Sequence, residues 1–197
     1  MSRSDEILFF WFGEPRDDKV YYDEWHARWF NANPQFDQEV RDRFTDDYQQ
    51  ASTQKLAAWR EELRSGLALV LLLDQFPRNM FRGTPQAFAT AALARDVATH
   101  LIQTGFDRLL LPIERAFVYM PFMHSETLAD QRSSVTLFQQ LAQEREYLSF
   151  VTYAIKHREV IERFGRFPHR NVILSRVSTP EETEFLSQRG SDRKSVV

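Results

Sequence analysis

Apolar positions recur at helical spacing along most of the chain, and no window alternates apolar and polar residues for long enough to predict a strand. Ser4 is placed to cap a short first helix carrying Ile7, Leu8, Phe9, Phe10 and Trp11, which stops near Gly13 and Pro15. Asn33-Pro34 reads as the N-cap and first helical residue of a longer helix through Phe36, Val40, Phe44 and Tyr48. Leu56, Trp59 and Leu63 belong to its continuation or to a further helix before Gly66. Residues 67–73 are apolar on every face, the mark of a buried central helix. Thr84-Pro85 repeats the cap-plus-proline signal, and Phe88, Ala92, Val97 and Leu101 lead to a stop at Gly105. Pro112 opens a helix through Phe117 and Tyr119, with a kink or restart expected at Pro121. Helices over 127–147 and 148–164, and a last one after Ser178-Thr-Pro-Glu-Glu182, complete an all-α pattern. The expectation is a single-domain multi-helix bundle over residues 1–190 with a frayed tail over 191–197.

Composition narrows what such a bundle can do. A chain of 197 residues suits one domain, and its 43% hydrophobic content with 17 Phe and 4 Trp suffices for a core. The net charge of -3 gives no basic excess for nucleic acid or an anionic membrane. With 0 Cys, disulfides, thiolate metal sites and thiol nucleophiles are excluded. The opening Met1-Ser-Arg-Ser-Asp-Glu6 lacks the apolar stretch of a signal peptide, and the longest apolar run, 67–73, is too short to span a bilayer. A cytoplasmic location is therefore expected. No Walker, GxGxxG, EF-hand or HExxH pattern occurs, so no cofactor and no metal are expected.

Candidate chemistry gathers at helix ends. Asp74 closes the all-apolar run, where a buried carboxylate needs a cation and the helix dipole opposes it. Arg78, Arg166 and Arg170 are the candidates to answer it. The stretch Asp74-Gln-Phe-Pro-Arg-Asn79 is echoed by Gly165-Arg-Phe-Pro-His-Arg-Asn171, which reads as two similar helix-ending turns. Beyond Pro121, His124, Ser125 and Glu126 form a polar group on an aromatic wall, although adjacent helical residues diverge too far to be a triad. Ser125 reads as a cap and His157 as a core histidine, while His169 in its polar turn is the better site candidate.

Together, Ile7-Leu-Phe-Phe-Trp-Phe-Gly13, Leu73-Asp-Gln-Phe-Pro-Arg-Asn79, His124-Ser-Glu126, Arg163-Phe-Gly-Arg-Phe-Pro-His-Arg-Asn171 and Ser178-Thr-Pro-Glu-Glu182 resemble the bacterial domain-of-unknown-function family 924. The likeness runs from about Ile7 to Leu186. It implies helical hairpins stacked as in tetratricopeptide repeats and carries no activity with it. Ser175 stands where that family usually has glycine, and Ala91 where it has aspartate. Two functions are open on this reading, beside a purely structural role in which the charged groups are ion pairs locking the bundle. A small anionic ligand would be bound by Asp74, Arg78, His124, Glu126, Arg166, His169 and Arg170, with hydrolysis as one reaction open to them. Alternatively, a helical scaffold would bind a peptide or partner protein. The Arg, His and Asp content of the turns favours the first; substrate, reaction and oligomeric state are not encoded legibly.

Overall fold

The computed structural model describes residues 1–145 and 150–188. Its axis is α4, Leu63–Met80, in which every residue from Ser65 to Met80 is buried. A helix surrounded on all sides has to be apolar on all sides, which is why no amphipathic stripe is visible in this segment. Four helices pack directly on it: α1 (Arg3–Phe12), α3 (Pro34–Ser52), α5 (Ala91–Gln103) and α6 (Pro112–Met123). Next, α7 (Leu128–Glu144) lies on α6, and α8 (Phe150–Phe164) lies on α7. A short α9 (Pro180–Ser187) rests on the 3-10 turn Pro168–Arg170. No strand occurs among the described residues, as the absence of alternation predicts. None of their helices is long and apolar enough to cross a membrane. The expected tail, 191–197, lies outside the described residues.

The N-terminal aromatic run is core. Ile7, Trp11 and Phe12 are fully buried, while Phe9 faces out. A helix over 19–30 is absent from the sequence expectation, yet α2 (Lys19–Phe30) forms there. Its sequence signal is Asp18, whose Oδ1 accepts the Tyr21 N–H at 2.7 Å. Tyr21 then donates its hydroxyl to the Phe12 carbonyl at 2.6 Å, and Trp29 its indole N–H to the Trp11 carbonyl at 2.9 Å. These bonds satisfy carbonyls that the end of α1 leaves open. Gly13 turns the chain between the two helices at φ 62°, with Trp25 so close that a Cβ there would meet its ring at 2.6 Å. Other boundaries shift slightly. Ser2, rather than Ser4, caps α1, and the 55–62 segment forms a 3-10 turn, Ala57–Glu61, before α4. Asn33 and Thr179 cap α3 and α9 as expected.

Pro77 does not end its helix as expected, and no new helix starts at Pro121. Pro77 lies inside α4 and Pro121 inside α6, and both helices run through them. Asp74 is therefore in the body of α4, not at its end, and the echo with the Pro168 turn is one of sequence only. Pro77 leaves the Leu73 carbonyl without its helical N–H donor. The buried Thr90 hydroxyl fills that place, donating to the Leu73 carbonyl at 2.7 Å. Thr90→Val keeps the shape but removes the donor, so it should cost about 1–3 kcal/mol in denaturant unfolding, the range for an unsatisfied buried polar group. A change near zero would mean that Pro77 is tolerated without this bond.

Candidate functional site

Because Pro77 does not break α4, Asp74 and Arg78 stand one turn apart on the same buried face. They are 2% and 4% exposed, and Arg78 Nη2 lies 3.5 Å from Asp74 Oδ1. The uninterrupted α6 delivers His124 to the same point: its Nδ1 is 2.9 Å from both Asp74 oxygens. Gln75 Nε2 donates to Asp74 Oδ2 at 2.7 Å. Burial alone would raise the Asp74 carboxyl, but His124, Arg78 and Gln75 outweigh it and hold it down to about 2. A carboxylate can only accept, so the His124 Nδ1 carries the proton and, in the neutral ring, Nε2 is the acceptor. Burial and the positive field of Arg78 and Arg170 lower the His124 pKa to about 4, despite Asp74. At neutral pH this is a neutral imidazole held in one tautomer by a carboxylate.

Behind the pair lies a cationic layer. Phe88 is shared by two guanidiniums, Arg78 at 5.4 Å and Arg170 at 4.7 Å from its ring centre. Arg170 also sits 4.4 Å from the Phe167 ring, and His169 stacks on that ring at 5.5 Å. Arg170 is 6% exposed and its Nε has no protein acceptor; both ring nitrogens of His169 are likewise buried and unpaired. Burial, then Arg78, pulls the Arg170 pKa down to about 9, so it stays charged at neutral pH. Burial, then Arg170, pulls His169 down to about 3, so it is neutral. Arg78 and Arg176 oppose the Arg170 charge, while Glu126 and Asp74 favour it.

The Pro168–Arg170 turn that presents these groups is tied down by three of the sequence motifs at once. Glu126 accepts the Phe167 N–H at 2.8 Å and pairs with Arg176 at 2.7 Å. Arg166 is bonded to Glu182 at 2.7 Å, and Asn171 reaches Ser178 and the same Glu182. Glu182 also closes the Thr179 capping box of α9. Ser175, which leads into Arg176, adopts φ 54°, a left-handed conformation that glycine takes without strain. Ser125 caps its turn, accepting the Thr127 N–H and donating to Asp130.

A cavity of about 220 Å³ opens against His124 and Gln75. Its other walls include Phe30, Met120, Phe150 and His157. Of the sequence candidates, Asp74, Arg78, His124, His169 and Arg170 meet in one cluster, with His124 on the cavity wall. Glu126 sits at the edge of the cluster as a tie, and Arg166 does not join it. Gln75 and Phe167 complete the cluster from within the two Phe-Pro motifs, and Phe88 from the 3-10 turn Pro85–Phe88, without a sequence cue of its own. His157 is a buried histidine, as expected, with Nδ1 2.8 Å from the Tyr153 carbonyl oxygen, yet it also lines the cavity. Among the described residues, no group of His, Asp and Glu side chains is arranged to hold a metal ion.

The chain resembles a solved structure, a protein of unknown function, ATU0120, from Agrobacterium tumefaciens. The two are 41% identical with a TM-score of 0.81, over 93% of this chain and 96% of the other. No curated protein matches the chain. The family model described as "Bacterial protein of unknown function (DUF924)" matches residues 7–190, and the chain belongs to that family.

Proposed function

We propose that the protein binds a small anionic ligand at the Arg78–Arg170–His169 cluster, with the neighbouring Asp74–His124 pair as the group that takes up or returns a proton. One observation carries this reading: the Arg170 guanidinium is buried, charged and without a protein acceptor at Nε, between the rings of Phe88 and Phe167. Burying an unanswered cation is costly, and an anion at this place relieves the cost. His124 is neutral at working pH, oriented by a carboxylate and unprotonated at Nε2, the requirements for a general base. Hydrolysis is one reaction such a base serves.

The test is thermal unfolding with acetate, inorganic phosphate and chloride at matched ionic strength. A ligand at a hundred times its Kd stabilises by about 2.7 kcal/mol, or about 5–10 °C for a chain of this size. Wild type should show such a rise with acetate or phosphate, and Arg170→Gln should lose it while keeping its helical circular dichroism. No rise with any carboxylate or phosphate over chloride contradicts the proposal.

A scaffold for a peptide or partner protein is the second reading. It draws on the packing of successive helices against one another, which suits hairpins stacked in the tetratricopeptide manner. A groove of about 490 Å³ along α5–α7, lined by Ile102, Phe122, Arg132 and Leu137, would be the surface used.

A further inference from the structure

Asp74 fixes more than the tautomer of His124. Its carboxylate accepts the His124 Nδ1–H at 2.9 Å and a Gln75 Nε2–H at 2.7 Å. Each side chain is thereby left with only its acceptor, Nε2 on the imidazole and Oε1 on the amide. No described residue donates to either atom, and both reach open space, unlike the two ring nitrogens of His169, which are shut in. His124 and Gln75 line the same cavity of about 220 Å³. Around Asp74 the cavity wall therefore offers acceptors and no donor.

The rest of the wall sets the body and charge of what fits. Phe30 and Phe150 supply rings, and Met120 and Met123 supply thioethers that adapt to an apolar surface. Among the described residues, no Arg, Lys, Asp or Glu side chain lines the cavity. A carboxylate or phosphate here would set lone pairs against lone pairs, so an anion belongs at the Arg78–Arg170 cluster instead. A cation would leave water for apolar walls that hold no opposite charge. A neutral O–H or N–H avoids both costs and supplies the donor that Nε2 and Oε1 lack.

We infer that the cavity binds a neutral organic molecule, its apolar body against Phe30, Phe150 and the two methionines, and its O–H or uncharged N–H donating to His124 Nε2 or Gln75 Oε1. This rests on the Asp74–His124 pair as read above and is separate from the anion at Arg170. It adds a ligand class to that pair: neutral alcohols, phenols and uncharged amines.

Titration of the full chain at pH 7 with four single-ring probes, followed by the ring-nitrogen NMR signals of the histidines, tests the inference. A cavity of about 150 Å³ admits benzene, so size does not keep these probes out. Benzyl alcohol should bind and move the His124 Nε2 signal toward the protonated range, leaving His169 where it was. Benzyl methyl ether keeps the ring and the oxygen but has no O–H. It should bind at least about tenfold more weakly, because the acceptors stay unpaired. Benzoate and benzylammonium should be weaker by a similar factor. A His124 signal that does not move in saturated benzyl alcohol overturns the inference. Equal binding of the ether overturns the donor, and equal binding of benzoate or benzylammonium overturns the neutrality. The anion proposal is read separately, from the phosphate or acetate stabilisation that Arg170→Gln should lose, so either can fail while the other stands.

Discussion

Replacing Asp74 by alanine is expected to cost about 3–5 kcal/mol of folding stability, the range for removing one partner of a buried ion pair. The reason lies in what stays behind. Arg78 is 4% exposed and loses the opposite charge that most offsets its burial. His124 loses the acceptor that fixes its ring, and Gln75 loses the oxygen it bonds. Against a total stability of about 5–15 kcal/mol for a domain, this is a large fraction, so the variant should unfold at a much lower urea concentration. Exchanging both members of the pair, Asp74→Leu with Arg78→Met, should recover most of the loss, since apolar replacements of a buried pair are often neutral. A cost below about 1 kcal/mol for Asp74→Ala would show that the pair behaves like a solvated surface bridge.

Stability should also fall steeply as the medium is acidified from about pH 6.5 to about pH 4. His124 and His169 titrate near 6.5 in an unfolded chain, but burial and the surrounding arginines depress them to about 4 and about 3 in the fold. Between those limits the unfolded state binds protons that the folded state refuses, so stability rises with pH there and is lost as pH falls. Each histidine contributes a slope of about 1.4 kcal/mol per pH unit, and the two together contribute about twice that. Asp74 acts in the same direction at lower pH. Its folded pKa of about 2 lies below the unfolded value, so the stability it supplies above about pH 4 disappears as pH drops through 2. Urea unfolding across this range should show the steep segment in wild type and about half the slope in His169→Gln. An unchanged slope in that variant would mean that His169 is solvated and titrates normally.

Much of the fold was legible because helix punctuation is local chemistry. Asn33 and Thr179 cap where their side chains can meet the following N–H groups, and residues 67–73 announce their burial by having no polar face. What failed was proline. A proline ends a helix in isolation, but Thr90, seventeen residues away in sequence from Leu73, supplies the missing donor at Pro77, and such a rescue is invisible in a local window. The same limit affects the site. The residue types that meet at Asp74 could be read from the two Phe-Pro motifs and the His124-Ser-Glu126 stretch. Their division into a cluster and its supports could not. Arg166 and Arg170 are four positions apart and chemically alike, yet Glu182 binds the first while the second turns inward between Phe88 and Phe167. Only the three-dimensional course of the Pro168–Arg170 turn makes that distinction. Gln75 and the aromatic cavity walls carry no signal that separates them from ordinary core.

The central claim is that Asp74 fixes His124 as a neutral imidazole whose Nε2 is open beside an anion-holding cluster. Long-range proton–nitrogen NMR of the histidine rings at pH 7 tests it most directly. His124 is expected to carry its proton on Nδ1, to leave Nε2 unprotonated and to stay neutral down to about pH 4. A ring protonated on Nε2, or an imidazolium at pH 7, would contradict it.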